Sequence, residues 1–177
     1  SEIEINIMAG RSIIVMGVSG SGKTTVGEAV ARQIHAKFID GDDLHPRANI
    51  QKMGSGHPLN DEDRMPWLER LSDAAYSLNH KNETGIIVCS ALKRRYRDRL
   101  RDGNPGMVFL YLKGSFDVIM ERLKARSGHF MPTDLLKSQF DALEEPGSDE
   151  PDVLCVDIDA DIDNVVQRCV LALQSRS

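Results

Sequence analysis

The run Gly17-Val18-Ser19-Gly20-Ser21-Gly22-Lys23-Thr24 constrains this chain more than any other stretch. It satisfies the pattern G-x-x-x-x-G-K-[ST] at every required position. Ser12–Met16 ahead of it reads as a buried strand, and residues 25–34 behind it read as a helix. Glycines let the backbone turn so that successive N–H groups face an anion. The helix start adds unpaired N–H groups and the positive end of its dipole. In this context residues Gly17, Val18, Ser19, Gly20, Ser21, Gly22 and Thr25 form a phosphate cradle. Lys23 reaches the β- and γ-phosphates, and Thr24 ligates Mg²⁺. The motif specifies a nucleoside triphosphate and leaves the recipient of the phosphate open.

The remainder of the chain suits that core. Its 177 residues fit one domain, and its 41% hydrophobic and 28% charged residues are those of an ordinary globular protein. No apolar run is long enough to span a bilayer, and no secretory signal is expected. A net charge of −5 argues against a general nucleic-acid binder. Cys89, Cys155 and Cys169 offer neither zinc spacing nor a disulfide framework. Cys89 and Cys155 lie in apolar runs and are expected in the core of a reduced, cytoplasmic protein. Residues 1–10 are read as a tag remnant and N-terminus, and 11–177 as a single P-loop kinase domain.

Strand-like runs recur at residues 37–40, 85–89, 107–112 and 153–157, each apolar enough to be covered on both faces. Helical stripes fall between them: Phe116, Ile119, Met120 and Leu123; then Leu136, Phe140 and Leu143; then Ile162, Val165, Val166, Cys169 and Leu173. The alternation predicts an α/β, five-stranded parallel sheet with helices on both faces, a P-loop kinase fold. Two insertions interrupt it. Residues 41–81 hold a loop and then a helix, with Pro66 suiting its first turn and Trp67, Leu68, Leu71, Ala74, Ala75 and Leu78 facing the core. About 122–134, broken by Ser127-Gly128-His129 and Pro132, reads as a short lid. The first insertion is expected to bind the acceptor and the second to close over phosphate.

Phosphoryl transfer needs positioning and charge neutralisation. Asp40-Gly41-Asp42-Asp43 follows the second strand, at the edge where open α/β sheets bind ligands. There Asp40 is a Mg²⁺ candidate and Asp42 the acceptor of the hydroxyl proton. The third strand ends in Cys89-Ser90 rather than Asp, which weighs against a motor-type ATPase. Ser90 fits a helix N-cap. Arg64 is placed to grip a carboxylate with two parallel hydrogen bonds, or else to pair with neighbouring acids. His45 is a candidate hydroxyl ligand, or else a structural histidine. Residues 93–101 carry six basic side chains, read as a solvated face from which Lys93 can meet substrate. Arg122 and Arg126 share one helix face before Gly128, suited to binding nucleotide and to stabilising phosphate charge.

Several of these runs together resemble the bacterial gluconate kinases: residues 40–46, 49–53, 58–64 with Pro66-Trp67-Leu68, Cys89-Ser90-Ala91-Leu92-Lys93 with Tyr96-Arg97-Asp98, and Gly128-His129-Phe130. The resemblance covers residues 11–173. It implies a fold similar to shikimate and nucleoside monophosphate kinases, and phosphorylation of D-gluconate at its 6-hydroxyl with ATP and Mg²⁺. It also implies Asp40 for Mg²⁺, Asp42 for the acceptor hydroxyl, Arg64 for the substrate carboxylate, and a homodimer. The residues alone reach only a small-molecule kinase with an anionic acceptor. Rival readings are a kinase for shikimate or a nucleoside monophosphate, a nucleotide-binding switch, and a nonenzymatic sugar-acid sensor. No Asn-Lys-x-Asp run supports a GTPase-type switch. Lys23 and Asp42 count against a sensor.

Overall fold

A computed structural model describes residues 10–127 and 133–176, apart from the side chains of Arg126 and Ser127. Residues 1–9, and Gly128, His129, Phe130 and Pro132 of the expected lid, lie outside the described residues. The strands are β1 (Ser12–Met16), β2 (Lys37–Asp40), β3 (Gly85–Val88), β4 (Val108–Lys113) and β5 (Val153–Asp157). They form one parallel sheet in the order β2-β3-β1-β4-β5, with the P-loop strand in the centre. The helices are α1 (Lys23–Ile34), α2 (Arg47–Gly54), α3 (Asp61–His80), α4 (Arg94–Arg101), α5 (Phe116–Ser127), α6 (Thr133–Ala142) and α7 (Ile162–Arg176). Among the described residues no helix is long and apolar enough to cross a membrane.

Successive side chains of a strand point to opposite faces, so the continuous apolar strands feed two cores. Ile13, Val15, Ile86, Val88, Val108, Leu110 and Leu112 meet α1, α5, α6 and α7 on one face. Ile14, Met16, Ile87, Cys89, Phe109 and Tyr111 meet α3 and α4 on the other. Each large apolar side chain buried in this way stabilises the fold by roughly 1.5–3 kcal/mol.

Local signals in the first insertion are decided by capping. Asn60 accepts from the Asp63 N–H at 2.8 Å, and the Asp63 carboxylate accepts from the Asn60 N–H at 2.9 Å. This reciprocal pair starts α3 at Asp61, so Pro66 lies inside the helix rather than in its first turn. Proline there deprives the Glu62 carbonyl of its helical donor. The insertion also holds α2 and a 3₁₀ turn, Gly41–Leu44, which the sequence pattern did not reveal. Lys52 of α2 binds Asp63 at 2.6 Å and ties the two helices together.

Three other expectations are corrected. Ser90 is not an N-cap: α4 begins at Arg94, with Lys93 at the cap position and no side-chain cap. The basic run is not wholly solvated, because Arg97 is fully buried. Cys155 is exposed, since β5 is an edge strand, whereas Cys89 and Cys169 are buried.

Gly41 shows how tightly the sheet edge is built. A Cβ there would stand 2.2 Å from the Val88 carbonyl oxygen, a backbone atom that cannot step aside. Gly41→Ala should therefore cost about 1–3 kcal/mol, read as a lower urea midpoint, and should disturb Asp40 and Asp42 beside it. An unchanged midpoint would show that the turn tolerates a side chain.

Candidate active site

The parallel sheet brings the ends of β1, β2 and β3 to one edge. The P-loop leaves β1 and enters α1 at Lys23, two residues earlier than the pattern suggested. Gly20 and Gly22 take φ values of 85° and 92°, which side-chain-bearing residues rarely adopt. The Gly17 N–H donates to the Ser90 carbonyl at 3.2 Å, joining the loop to the segment after β3.

A cavity of about 190 Å³ lies within this arrangement, lined by Ser19, Gly20, Gly22, Lys23, Thr24, Asp40, Asp42, Val88, Cys89 and Ser90. Lys23 donates to the Val18 carbonyl at 3.1 Å. Burial lowers its pKa from 10.5 to about 8, against the opposing pull of the Asp42 and Asp40 carboxylates. Burial pushes the neighbouring Cys89 thiol up to about 12, so it stays protonated and inert. Asp40 Oδ1 accepts from the Asp42 N–H at 3.0 Å, which fixes the turn between the two carboxylates.

A second cavity of about 400 Å³ opens beside the first. It is lined by Asp42, His45, Arg64, Trp67, Ser90, Lys93, Tyr96 and Gln139, with apolar walls from Met53, Pro58, Leu59, Ala91, Leu92 and Ala142. Asp42 and Ser90 line both cavities. Ser90, expected to cap a helix, instead sits at the junction.

His45 is held by a ring stack and by a hydrogen bond to Nδ1. Its ring stacks on Trp67 with centroids 4.3 Å apart, and the Trp67 indole N–H donates to the Gly41 carbonyl at 2.8 Å. Asn49 Nδ2 donates to the Asp63 carbonyl at 2.9 Å, so the same amide nitrogen is also the donor to His45 Nδ1 at 3.2 Å. His45 Nδ1 is therefore an acceptor, and the proton of the neutral ring sits on Nε2, 4.0 Å from Asp42 Oδ1. Burial lowers its pKa below the ordinary value, with Arg64 and Arg70 adding to the effect and Asp42 opposing it. His45 thus presents a neutral N–H donor beside Asp42.

Arg64 is left free of acids by its neighbours. Asp61 takes Lys93 at 3.1 Å, Arg95 at 3.0 Å and the Tyr96 hydroxyl, while Asp63 takes Lys52. These hydrogen bonds hold the Asp61 carboxyl below its usual range. Among the described residues Arg64 forms no ion pair. Its guanidinium donates to the Leu59 carbonyl at 2.9 Å and lies 5.9 Å from the centre of the Tyr96 ring. Of the two cations lining the acceptor cavity, Arg64 is available to an anion and Lys93 is already engaged.

Arg122 lines a third cavity of about 390 Å³ with Gly20, Gly22, Thr25, Ala125, Ala160, Asp161 and Ile162. It donates to the carbonyls of Ile158 and Ala160. The side chain of Arg126 lies outside the described residues. Gln139 was missed by sequence reasoning: its Oε1 accepts from the Ser19 N–H and hydroxyl, both at 3.2 Å. Nothing in its local pattern distinguishes it from any polar residue on an amphipathic helix.

A phosphate cradle and a polar acceptor cavity, meeting at a shared carboxylate on the edge of a parallel sheet, define a P-loop kinase acting on a small molecule. Comparison with known proteins narrows the class. A family model described as shikimate kinase matches residues 19–174. The thermosensitive gluconokinase of Escherichia coli K12 is 61% identical over 170 residues, covering 94% of this chain and 91% of that protein. The thermoresistant gluconokinase of the same organism is 61% identical over 153 residues, covering 86% and 87%. A crystal structure of a gluconokinase from Sinorhizobium meliloti 1021 superposes with a TM-score of 0.86 at 45% identity, covering 94% of this chain and 93% of that one. The chain belongs to the gluconokinase family, and it is a kinase.

The lowered pKa of Lys23 gives this site a pH signature. The free protein loses the ammonium charge as pH rises through about 8, and with it the attraction for phosphate. Accordingly kcat/KM for ATP should fall above pH 8, while kcat, set in the complex where phosphate retains the proton, should stay level further into alkali. A kcat/KM profile flat to pH 10 would remove Lys23 from nucleotide binding.

Proposed function

We propose that the protein transfers the γ-phosphoryl group of ATP to the 6-hydroxyl of D-gluconate, giving 6-phospho-D-gluconate and ADP. The observation that carries this reading is Asp42, which lines both the phosphate cavity and the acceptor cavity. A hydroxyl bound between them meets a carboxylate on one side and the γ-phosphate on the other. Gluconate suits the acceptor cavity, being an open-chain polyol with one carboxylate. Arg64 takes the carboxylate, and the neutral His45 Nε2–H and Asp42 take hydroxyls. The relatives' names support the same acceptor.

In this mechanism Asp42 orients the 6-hydroxyl and accepts its proton as the oxygen attacks the γ-phosphate. The P-loop N–H groups and Lys23 hold the β- and γ-phosphates and stabilise the charge that develops on them. Mg²⁺ fits the donors present: the Thr24 hydroxyl and Asp40 line one cavity, and Mg²⁺ commonly uses one or two carboxylates with phosphate and water. When bound it would neutralise phosphate charge. Arg122 and the cavity around Ala160 hold the nucleoside, and Arg126 serves the transferring phosphate. Lys93, tied to Asp61, contacts substrate from the cavity wall. The reading treats residues 11–177 as one domain, with 41–81 as the acceptor-binding insertion and 122–134 as the lid. It extends to a cytoplasmic homodimer acting on a small molecule rather than on nucleic acid or membrane.

ADP formation from ATP and Mg²⁺ should be fast with D-gluconate and absent with shikimate or a nucleoside monophosphate; turnover with a rival alone would discard the acceptor. Asp42→Asn should lower kcat about 10²- to 10⁴-fold while leaving the affinity for an unhydrolysable ATP analogue unchanged. Near-normal turnover would take Asp42 out of the mechanism. Arg64→Ala should raise KM for gluconate about 10- to 100-fold with a smaller effect on kcat. An unchanged KM would move the carboxylate clamp elsewhere.

A further inference from the structure

Gln139 touches both halves of the site. Its Oε1 accepts from the backbone N–H of Ser19 and from the Ser19 hydroxyl, each at 3.2 Å. Ser19 belongs to the phosphate-binding loop and lines the phosphate cavity. Gln139 also lines the acceptor cavity with Arg64 and His45. The residue stands on α6, which is anchored by the fully buried Leu136 and the half-buried Phe140. The amide assignment is set by chemistry: Ser19 N–H can only donate, so the carboxamide oxygen must face it.

A carbonyl oxygen on a P-loop N–H occupies a donor that a phosphate oxygen would also use. Both contacts are at the long end of the hydrogen-bond range, and a charged phosphate oxygen is the stronger acceptor. We infer that Gln139 is a positioning residue that links the two substrates: nucleotide phosphate takes the Ser19 N–H, and the released carboxamide hydrogen-bonds a hydroxyl of the acceptor. Binding of either ligand then favours the other, because each uses the arrangement that the other stabilises. The inference rests on the acceptor reading given above for its second half, and on the P-loop alone for its first.

Titration calorimetry with an unhydrolysable ATP analogue, with and without D-gluconate, tests both halves. Wild type should bind the analogue about 5-fold or more tightly in the presence of gluconate. Gln139→Leu should bind the analogue by itself about 5-fold more tightly than wild type, since nothing competes for Ser19, and should lose the enhancement by gluconate. Gln139→Glu should bind the analogue more weakly, because a carboxylate holds Ser19 harder and repels phosphate. Damage to the fold would weaken both ligands in the Leu variant and lower its Tm. Analogue binding by Gln139→Leu equal to or weaker than wild type at an unchanged Tm, an unchanged enhancement, or analogue binding by Gln139→Glu as tight as wild type would overturn the inference. Failure of wild type to bind gluconate would instead remove the acceptor reading, while the comparison of analogue affinities would still decide the role of Gln139.

Discussion

The pairing of β1 with β3 is the constraint on which the site depends. Ser12 lies opposite Gly85, and Val15 opposite Val88, while Asp40 of β2 lies opposite Val88 from the other side. The P-loop, the Asp40–Asp42 turn and Ser90 therefore leave the sheet at one level. A slip of one residue would turn every apolar side chain of a strand to the wrong face, and both faces are packed. Register is thus enforced by the two cores at once. The Gly17 to Ser90 hydrogen bond, and the contact of Gly41 with the Val88 carbonyl, are consequences of that register. The catalytic geometry follows from hydrophobic burial some distance from any reacting atom.

One wall of the acceptor cavity has a different kind of support. Arg97 is fully buried and binds Glu150 through two nitrogens, at 2.8 and 2.9 Å. Its remaining donors meet the carbonyls of Ala91, Leu92 and Glu144 at 2.8, 3.2 and 2.8 Å. Burial acts to raise the Glu150 pKa, but Arg97 and Arg101 bring it down to about 2, so the pair remains ionised. A buried ion pair adds little net stability over apolar packing, yet losing one partner leaves a costly unpaired charge. What this network does supply is position. It fixes the backbone at Ala91 and Leu92, which line the acceptor cavity, and holds Ala91 at a φ of 48°.

Much of the fold was legible in the sequence, because it depends on local patterns. The five strands and their order of appearance follow from apolar runs, and the P-loop from its spacing. Apart from Pro66, whose helix start is set by a local capping box, what the sequence missed or left open depended on partners distant in sequence. Pro66 looked like a helix start until the Asn60–Asp63 capping box claimed that role. Arg97 looked solvated because its partner Glu150 lies 53 residues away. Arg64 could have paired with its acidic neighbours; Lys93 and Lys52 claim Asp61 and Asp63 instead, from outside the local run. Gln139 carried no signal at all, since its partner Ser19 lies 120 residues earlier.

The same logic explains why the P-loop is poised rather than merely present. The Lys23 ammonium donates a hydrogen bond to the Val18 carbonyl, and the Ser19 N–H donates to Gln139 Oε1, so two of the loop's donors are satisfied by neutral oxygens of the protein itself. Without these partners the half-buried donors would raise the free energy of the empty loop, by at most roughly 1–3 kcal/mol each. Neutral carbonyl partners avoid that cost without competing strongly with a charged phosphate. The lowered pKa of Lys23 belongs to the same balance, because a desolvated ammonium gains most when an anion arrives. On the proposed reading, affinity for the triphosphate derives from exchanging these weak internal partners for strong charged ones.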